Sequence, residues 1–247
     1  LSKLQQQDNT CKILLQTVDT LRSAAEIATF CFCTDDKTRV PLGEKNGYIN
    51  ASYIRMKVGE EEHFYIITQS PLPSTMADFW QMVWESESDM IAMMTKEVEL
   101  GQVKCHRYWP EPSHDSIDLA NFHLRLDNYQ ILEYFIIRTI EVINKQVSSR
   151  IISHLQFITW PDHDTPKLAE QLIKFICYMR KSHSTGPIVA HCSTGIGRSG
   201  VLLCVEVLLS YIEKDLNVSI KQIMVKYYKP VWMSTTCVGI LDQSNFW

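Results

Sequence analysis

The sequence lacks an excess of basic residues: 24 Lys and Arg face 28 Asp and Glu, for a formal net charge of −4. Nucleic acid, whose phosphates are met by a basic surface, is therefore set aside as a partner. The cysteine density of a disulfide scaffold is missing too, because eight cysteines are spread over 247 residues. Most sit inside apolar segments, which reads as buried thiols in a reducing, intracellular and cytoplasmic setting. No Cys-x-x-Cys pair or clustered histidine set has zinc-site spacing, and Cys31-Phe32-Cys33 is too close and too apolar for one. Neither a metal nor a cofactor is expected. No apolar run reaches the roughly 20 residues that a membrane span needs. The densest, Val201 to Ile212, is interrupted by Glu206 and Ser210 and reads as a buried helix, so no membrane insertion is expected. The amino end, LSKLQQQDNTCK, has neither an initiator Met nor the charged-then-apolar order of a signal peptide. The chain reads as a piece of a longer protein. Internal repeats, low-complexity tracts and Pro/Gly/Ser-rich linkers are also absent, so residues 1–247 are read as one domain, expected to be monomeric.

What the chain does have is 45% hydrophobic and 10% aromatic residues, enough for a full core. Alternating or β-branched runs predict strands at Tyr48–Ile54, Phe64–Thr68, Met90–Thr95, Val103–Tyr108, Phe122–Leu126, Tyr129–Ile143 and Ile151–Thr159. Between the early ones, MADFWQMVWES carries Phe79, Trp80, Met82, Val83 and Trp84 as a helical apolar face. Leu168, Leu172, Phe175, Ile176 and Met179 repeat at helical spacing later. Gly186-Pro187 then punctuates the chain, Ile188-Val189-Ala190 reads as a short strand, and a helix is expected from about Ser199 to Ile212.

The stretch joining that strand to that helix is AHCSTGIGRSG, residues 190–200. A loop from a strand's carboxyl end to a helix's amino end gathers unpaired N–H groups and the helix dipole, and so suits an anion. Gly195 and Gly197 allow positive φ, letting the amides of Ser193, Thr194, Gly195, Ile196, Gly197 and Arg198 curl around one tetrahedral oxyanion. Arg198 adds a planar fork that matches two phosphoryl oxygens. A thiol held beside a helix amino terminus and an arginine favours the thiolate form. Cys192, beneath such a cradle, is thus read as a nucleophile aimed at phosphorus. A tyrosine leaving group would depart as a phenolate of pKa about 10 unless protonated, so an acid is needed. TWPDHDTP, residues 159–166, offers Asp162 and Asp164 in a loop bracketed by Trp160, Pro161 and Pro166.

Taken together these stretches resemble the phosphotyrosine-specific protein tyrosine phosphatases of the non-receptor kind. HCSTGIGRSG is similar to their phosphate-binding loop, WPDHDTP to the acid loop, and KTRVPL with NGYINASYI to the early strand region. TQSPLPSTMADFWQMVWE is similar to the long helix entry and VELGQVKCHRYWP to the Glu-bearing loop. The likeness is strong over 37–214, whereas 1–36 and 215–247 diverge. It implies an α/β (α+β) fold, a highly twisted mixed β-sheet flanked by helices, with a phosphotyrosyl protein as substrate and no metal. The implied roles are Cys192 nucleophile, Arg198 phosphate clamp, Asp162 general acid and Ser199 aiding thiolate departure. Glu99 is implied as the partner of Arg198, and His191 as the residue ordering the cysteine.

Three stretches depart from the family pattern. Thr29 and Cys31 stand where the substrate loop carries Tyr and Asp, and Thr194 stands for the usual Ala. Thr235 or Thr236 falls where a Gln positions the hydrolytic water, after Pro230 has broken the expected helix. Two readings follow: an active tyrosine phosphatase, with a slowed second step, and a catalytically impaired module that binds phosphotyrosine.

Overall fold

In the computed structural model, residues 36–44, 47–160, 166–195, 197–217 and 222 are described. Among the described residues the order runs β1 (Ala51–Val58), β2 (Glu61–Thr68), α1 (Met76–Glu85) and β3 (Met90–Met93). A small hairpin, β4 (Val98–Glu99) and β5 (Gln102–Val103), precedes β6 (Ser116–Asp118), β7 (Phe122–Ile131), β8 (Phe135–Asn144) and β9 (Ser149–Phe157). Helix α2 (Pro166–Ser182), β10 (Ile188–His191) and α3 (Gly197–Glu213) complete the order. Eight strands form one mixed sheet, β1-β2-β10-β3-β9-β8-β7-β6, and β4-β5 stands apart.

The central strands are buried on both faces, which is why they read as nearly continuous apolar runs. Along β10, Ile188 and Ala190 pack with α2 and α3, while Val189 packs on the opposite face with Phe79, Trp80, Met82 and Val83 of α1. This is the two-residue alternation of a strand between two helical layers. Helix α2 buries Leu172, Phe175, Ile176 and Met179 of the stripe expected for it, the Leu168 side chain lying outside what is described, and every residue of α3 from Ser199 to Ser210 is buried. The interruptions in that apolar helix are therefore internal. Glu206 lies 3.2 Å from His63 Nδ1 and accepts from Arg180 Nε at 3.3 Å, and Arg180 also donates to Ser210 Oγ at 2.7 Å. A buried carboxylate stripped of its partners costs about 3–5 kcal/mol, so these contacts clamp α2 and β2 onto α3.

Two strand expectations change. The run Tyr129–Ile143 is a hairpin rather than one strand: β7 ends at Ile131, the Leu132 N–H bonds to the Phe135 carbonyl at 2.9 Å, and β8 returns. The turn is made by Leu132-Glu133-Tyr134, which carries none of the Gly, Pro, Asn or Asp that usually mark a turn. In Val103–Tyr108 only Val103 is paired in a strand. Beyond it the chain dives inward and buries Cys105, Tyr108 and Trp109, with the Trp80 indole N–H donating to the Tyr108 carbonyl at 2.8 Å.

The topology also positions the site. Strands β2, β10, β3 and β9 are mutually parallel, and Thr68, His191, Met93 and Gln156 stand side by side at one rim. Four carboxyl ends therefore release their loops together, at the edge where open α/β sheets hold ligands.

Candidate active site

Cys192 follows β10 directly and is 4% exposed. The chain then turns so tightly that the Gly195 N–H donates to the Cys192 sulfur at 3.3 Å. Gly195 has φ +94°, and a Cβ there would meet the Thr68 carbonyl oxygen at 2.6 Å and the Gln69 nitrogen at 2.8 Å. Only glycine satisfies both the dihedral and the close approach. The loop is stitched to its neighbour after β2: the Ser70 N–H bonds to the Ser193 carbonyl at 3.1 Å, and the Ser70 hydroxyl donates to the Cys192 carbonyl. Gln69, read from sequence as structural, accepts from the Asn50 amide at 2.9 Å.

Gly197 and Arg198 open α3, and the Arg198 fork reaches the loop after β3. Its two terminal nitrogens meet the two Glu99 oxygens at 2.5 and 2.8 Å, a bidentate pair. Glu99 also accepts from the Thr95 hydroxyl at 3.0 Å and the Lys96 N–H at 3.1 Å. Burial pushes the Glu99 carboxyl up, but the Arg198 hydrogen bond and charge outweigh it and hold the group below its ordinary value. The hairpin presenting Glu99 turns on Leu100 at φ +47° and Gly101 at φ +76°. Positive φ at both central residues is what a two-residue hairpin of the right twist requires. The Trp160 ring centroid lies 5.5 Å from the Arg198 guanidinium carbon, and Trp160 is itself packed edge-on to Phe157. The residue that opens the stretch read as the acid loop is thereby set against the fork.

Ser199 is fully buried, and its hydroxyl has no hydrogen-bond partner among the described residues. His191 is fully buried too, with Nδ1 3.2 Å from the Cys192 carbonyl and Nε2 2.5 Å from the Tyr108 hydroxyl. Burial lowers its pKa to about 4, so the ring is neutral at physiological pH.

The structure thus gathers Cys192, Ser193, Thr194, Gly195, Arg198, Ser199, His191, Glu99 and Trp160 around one loop. Asp162 and Ile196 lie outside the described residues, as do Thr29, Cys31, Pro230, Thr235 and Thr236. Sequence reasoning assigned nothing to Ser70, Tyr108 or His154, which hold the site from behind. The only signal for Tyr108 was its place in VELGQVKCHRYWP.

A groove of about 340 Å³ adjoins the loop, and its lining includes Ser193, Thr194, Val103, Lys104 and His106. Among the described residues no helix is long and apolar enough to cross a membrane.

Comparison with known proteins shows the family. The family model for protein-tyrosine phosphatase matches residues 30–234, a wider span than the motif-bearing 37–214. The motifs point within the family to the non-receptor type 20 enzymes. The rat tyrosine-protein phosphatase non-receptor type 20 is 50% identical over 195 residues, 78% of this chain and 46% of that protein. The human type 20 protein is 53% identical over 190 residues, 76% of this chain and 45% of its own length. The chain spans about half the length of these curated relatives. A solved structure of PTPN18, described in connection with distinct HER2 tyrosine phosphorylation sites, is 30% identical. It superposes with a TM-score of 0.70, covering 79% of this chain and 72% of that one. The chain belongs to the protein-tyrosine phosphatase family.

Proposed function

We propose that the chain hydrolyses phosphotyrosine in proteins through a cysteinyl-phosphate, acting as a monomeric domain in the reducing cytoplasm. The observation that carries this reading is the convergence of two features on one loop: the Gly195 N–H on the Cys192 sulfur, and the Arg198 fork held by Glu99. The turn supplies N–H donors where a phosphoryl group gains charge, and the fork supplies paired cationic donors. Glu99 aims the guanidinium by pairing with both terminal nitrogens, and Nη1 also lies 3.5 Å from the Met94 carbonyl and 3.4 Å from the Thr95 hydroxyl.

In the first step the Cys192 sulfur attacks phosphorus, the bond to the tyrosyl oxygen breaks, and Asp162 gives its proton to the departing oxygen. In the second, Asp162 as carboxylate takes a proton from water, the water oxygen attacks phosphorus, and the Cys192 thiolate leaves. The orphaned Ser199 hydroxyl is suited to donate to that thiolate. His191 and Ser70 hold the Cys192 carbonyl, and Trp160 roots the acid loop against Arg198. The second reading, a catalytically impaired module that binds phosphotyrosine, is favoured by Thr29 and Cys31 standing where the substrate loop's Tyr and Asp are expected, and by Thr235 or Thr236 where a water-placing Gln is expected.

Asp162→Ala tests the reading. Steady-state turnover of a phosphotyrosyl peptide is expected to fall by about 10²–10⁴, the usual contribution of a general acid, while peptide affinity holds. The variant should retain substrate as a trap in pull-down. Full activity of Asp162→Ala combined with loss in Asp164→Ala would place the acid at Asp164 instead.

A further inference from the structure

Behind the loop runs a buried chain of hydrogen bonds whose far end is an arginine. Arg138 on β8 and His154 on β9 face each other in register, and Arg138 Nη1 lies 3.2 Å from His154 Nδ1. His154 Nε2 lies 2.9 Å from the Tyr108 hydroxyl, which lies 2.5 Å from His191 Nε2. His191 Nδ1 closes the chain on the Cys192 carbonyl at 3.2 Å. Arg138 is 5% exposed, with its guanidinium over the Trp109 ring at 4.7 Å and the Tyr129 ring at 5.5 Å.

Both histidines are fully buried, and burial above all drives their pKa values down, so each carries a single ring proton. An arginine can only donate. His154 Nδ1 must therefore accept, which leaves the His154 proton on Nε2 and makes the Tyr108 oxygen its acceptor. The one Tyr108 hydrogen is then directed at His191 Nε2, so the His191 proton sits on Nδ1 and points at the Cys192 carbonyl. Run the other way, the chain would set the His191 Nδ1 lone pair against that carbonyl and leave it only the Ser70 hydroxyl, 3.5 Å away, whose hydrogen goes to the same Cys192 carbonyl. Every described peptide bond is trans, so the Cys192 C=O and the Ser193 N–H point in opposite directions. A carbonyl pinned toward His191 and Ser70 thus turns the Ser193 N–H away from them, into the turn that Gly195 closes round the sulfur.

We propose that Arg138 and His154 are positioning residues: as the donor-only end of the chain, Arg138 fixes the His191 proton on Nδ1 and so the orientation of the Cys192–Ser193 peptide. Its kinetic consequence rests on the reading of Cys192 as nucleophile; the proton's location does not.

The test is long-range ¹H–¹⁵N NMR of the labelled chain, which reports which ring nitrogen carries each proton, together with turnover of an aryl phosphate. The intact chain should show His191 as Nδ1–H and His154 as Nε2–H. In Arg138→Met the His191 signal should become a tautomer mixture and kcat fall by about tenfold or more, the scale of one mis-set buried hydrogen bond. Arg138→Lys, which keeps a donor-only end, should restore both. If Arg138→Met does not fold, Tyr108→Phe removes one oxygen and should release the His191 tautomer while His154 stays Nε2–H. His191 remaining wholly Nδ1–H in Arg138→Met or Tyr108→Phe would overturn the proposal, as would a failure of Arg138→Lys to restore it. A released tautomer with unchanged kcat would overturn the link to the cysteine peptide. Should the intact chain show no turnover, the phosphatase reading fails and the tautomer comparison still decides.

Discussion

Cys192→Ser should lower kcat by about 10⁵–10⁶, the scale on which covalent hydrolases lose rate when the nucleophile alone is removed. At 1.36 kcal/mol per tenfold this is roughly 7–8 kcal/mol of transition-state stabilisation. The size follows from where the atom sits. Cys192 is enclosed, the Gly195 N–H is already aimed at its sulfur, and a serine hydroxyl in the same place does not ionise. The rest of the cradle does not depend on sulfur: the Ser70 bridges run to the Cys192 and Ser193 carbonyls, and Arg198 is held by Glu99. Phosphotyrosyl-peptide affinity, measured by calorimetry, should therefore persist while steady-state release of phosphate disappears. Turnover of Cys192→Ser within about tenfold of the parent would mean that water attacks phosphorus directly.

Arg198→Lys is expected to cost about 10³–10⁵ in kcat/KM for an aryl phosphate, comparable to loss of a charge-stabilising arginine in other phosphoryl transfers. Lysine keeps the charge but loses the planar fork, and with it both the bidentate grip on Glu99 and the match to two phosphoryl oxygens. A companion effect appears in stability. Glu99 is held below its ordinary 4.5 by Arg198 against the opposing effect of burial. A depressed carboxylate contributes stability that is complete above 4.5 and is lost as pH falls through the lower folded value. Arg198→Met should lose that contribution at neutral pH, and its stability should decline less steeply on acidification below pH 4.5. Chemical denaturation at a series of pH values measures it. Parallel curves for the two proteins would show that Glu99 and Arg198 are not coupled.

The loop around Cys192 was legible because its requirements are local. A strand, a turn that needs Gly195 and a helix start all fall within a dozen residues, and Arg198 lies six positions from the thiol it serves. The pairing with Glu99 spans 99 residues and came only through resemblance. The support behind the loop was legible only as Tyr108's place in a motif, since Tyr108 meets His191 across 83 residues and His154 across 46. In sequence Tyr108 reads as one more apolar strand position, and its hydroxyl has meaning only once β9 and β10 lie beside it. Glu206 shows the converse: it looked like a break in an apolar run, and proves to be internally paired with His63 and Arg180 from two other elements. The β7–β8 turn was missed because Leu132-Glu133-Tyr134 offers no turn chemistry, so register with the neighbouring strand, not local preference, makes it.

A rapid-mixing time course, with the protein near the concentration of an aryl phosphate, tests the central claim most directly. On the proposed reading, phosphorylation of the sulfur uses Cys192, Arg198 and Asp162, all present, whereas hydrolysis uses a placed water at a position where Thr235 or Thr236 stands in place of the expected Gln. The account predicts a burst of phenol close to one equivalent per chain, a phosphoryl group recovered on Cys192 by mass spectrometry, and then turnover slower by roughly 10², the cost of losing one positioning contact. Phenol release with no phosphoryl group ever found on Cys192, or no release at all, would contradict it.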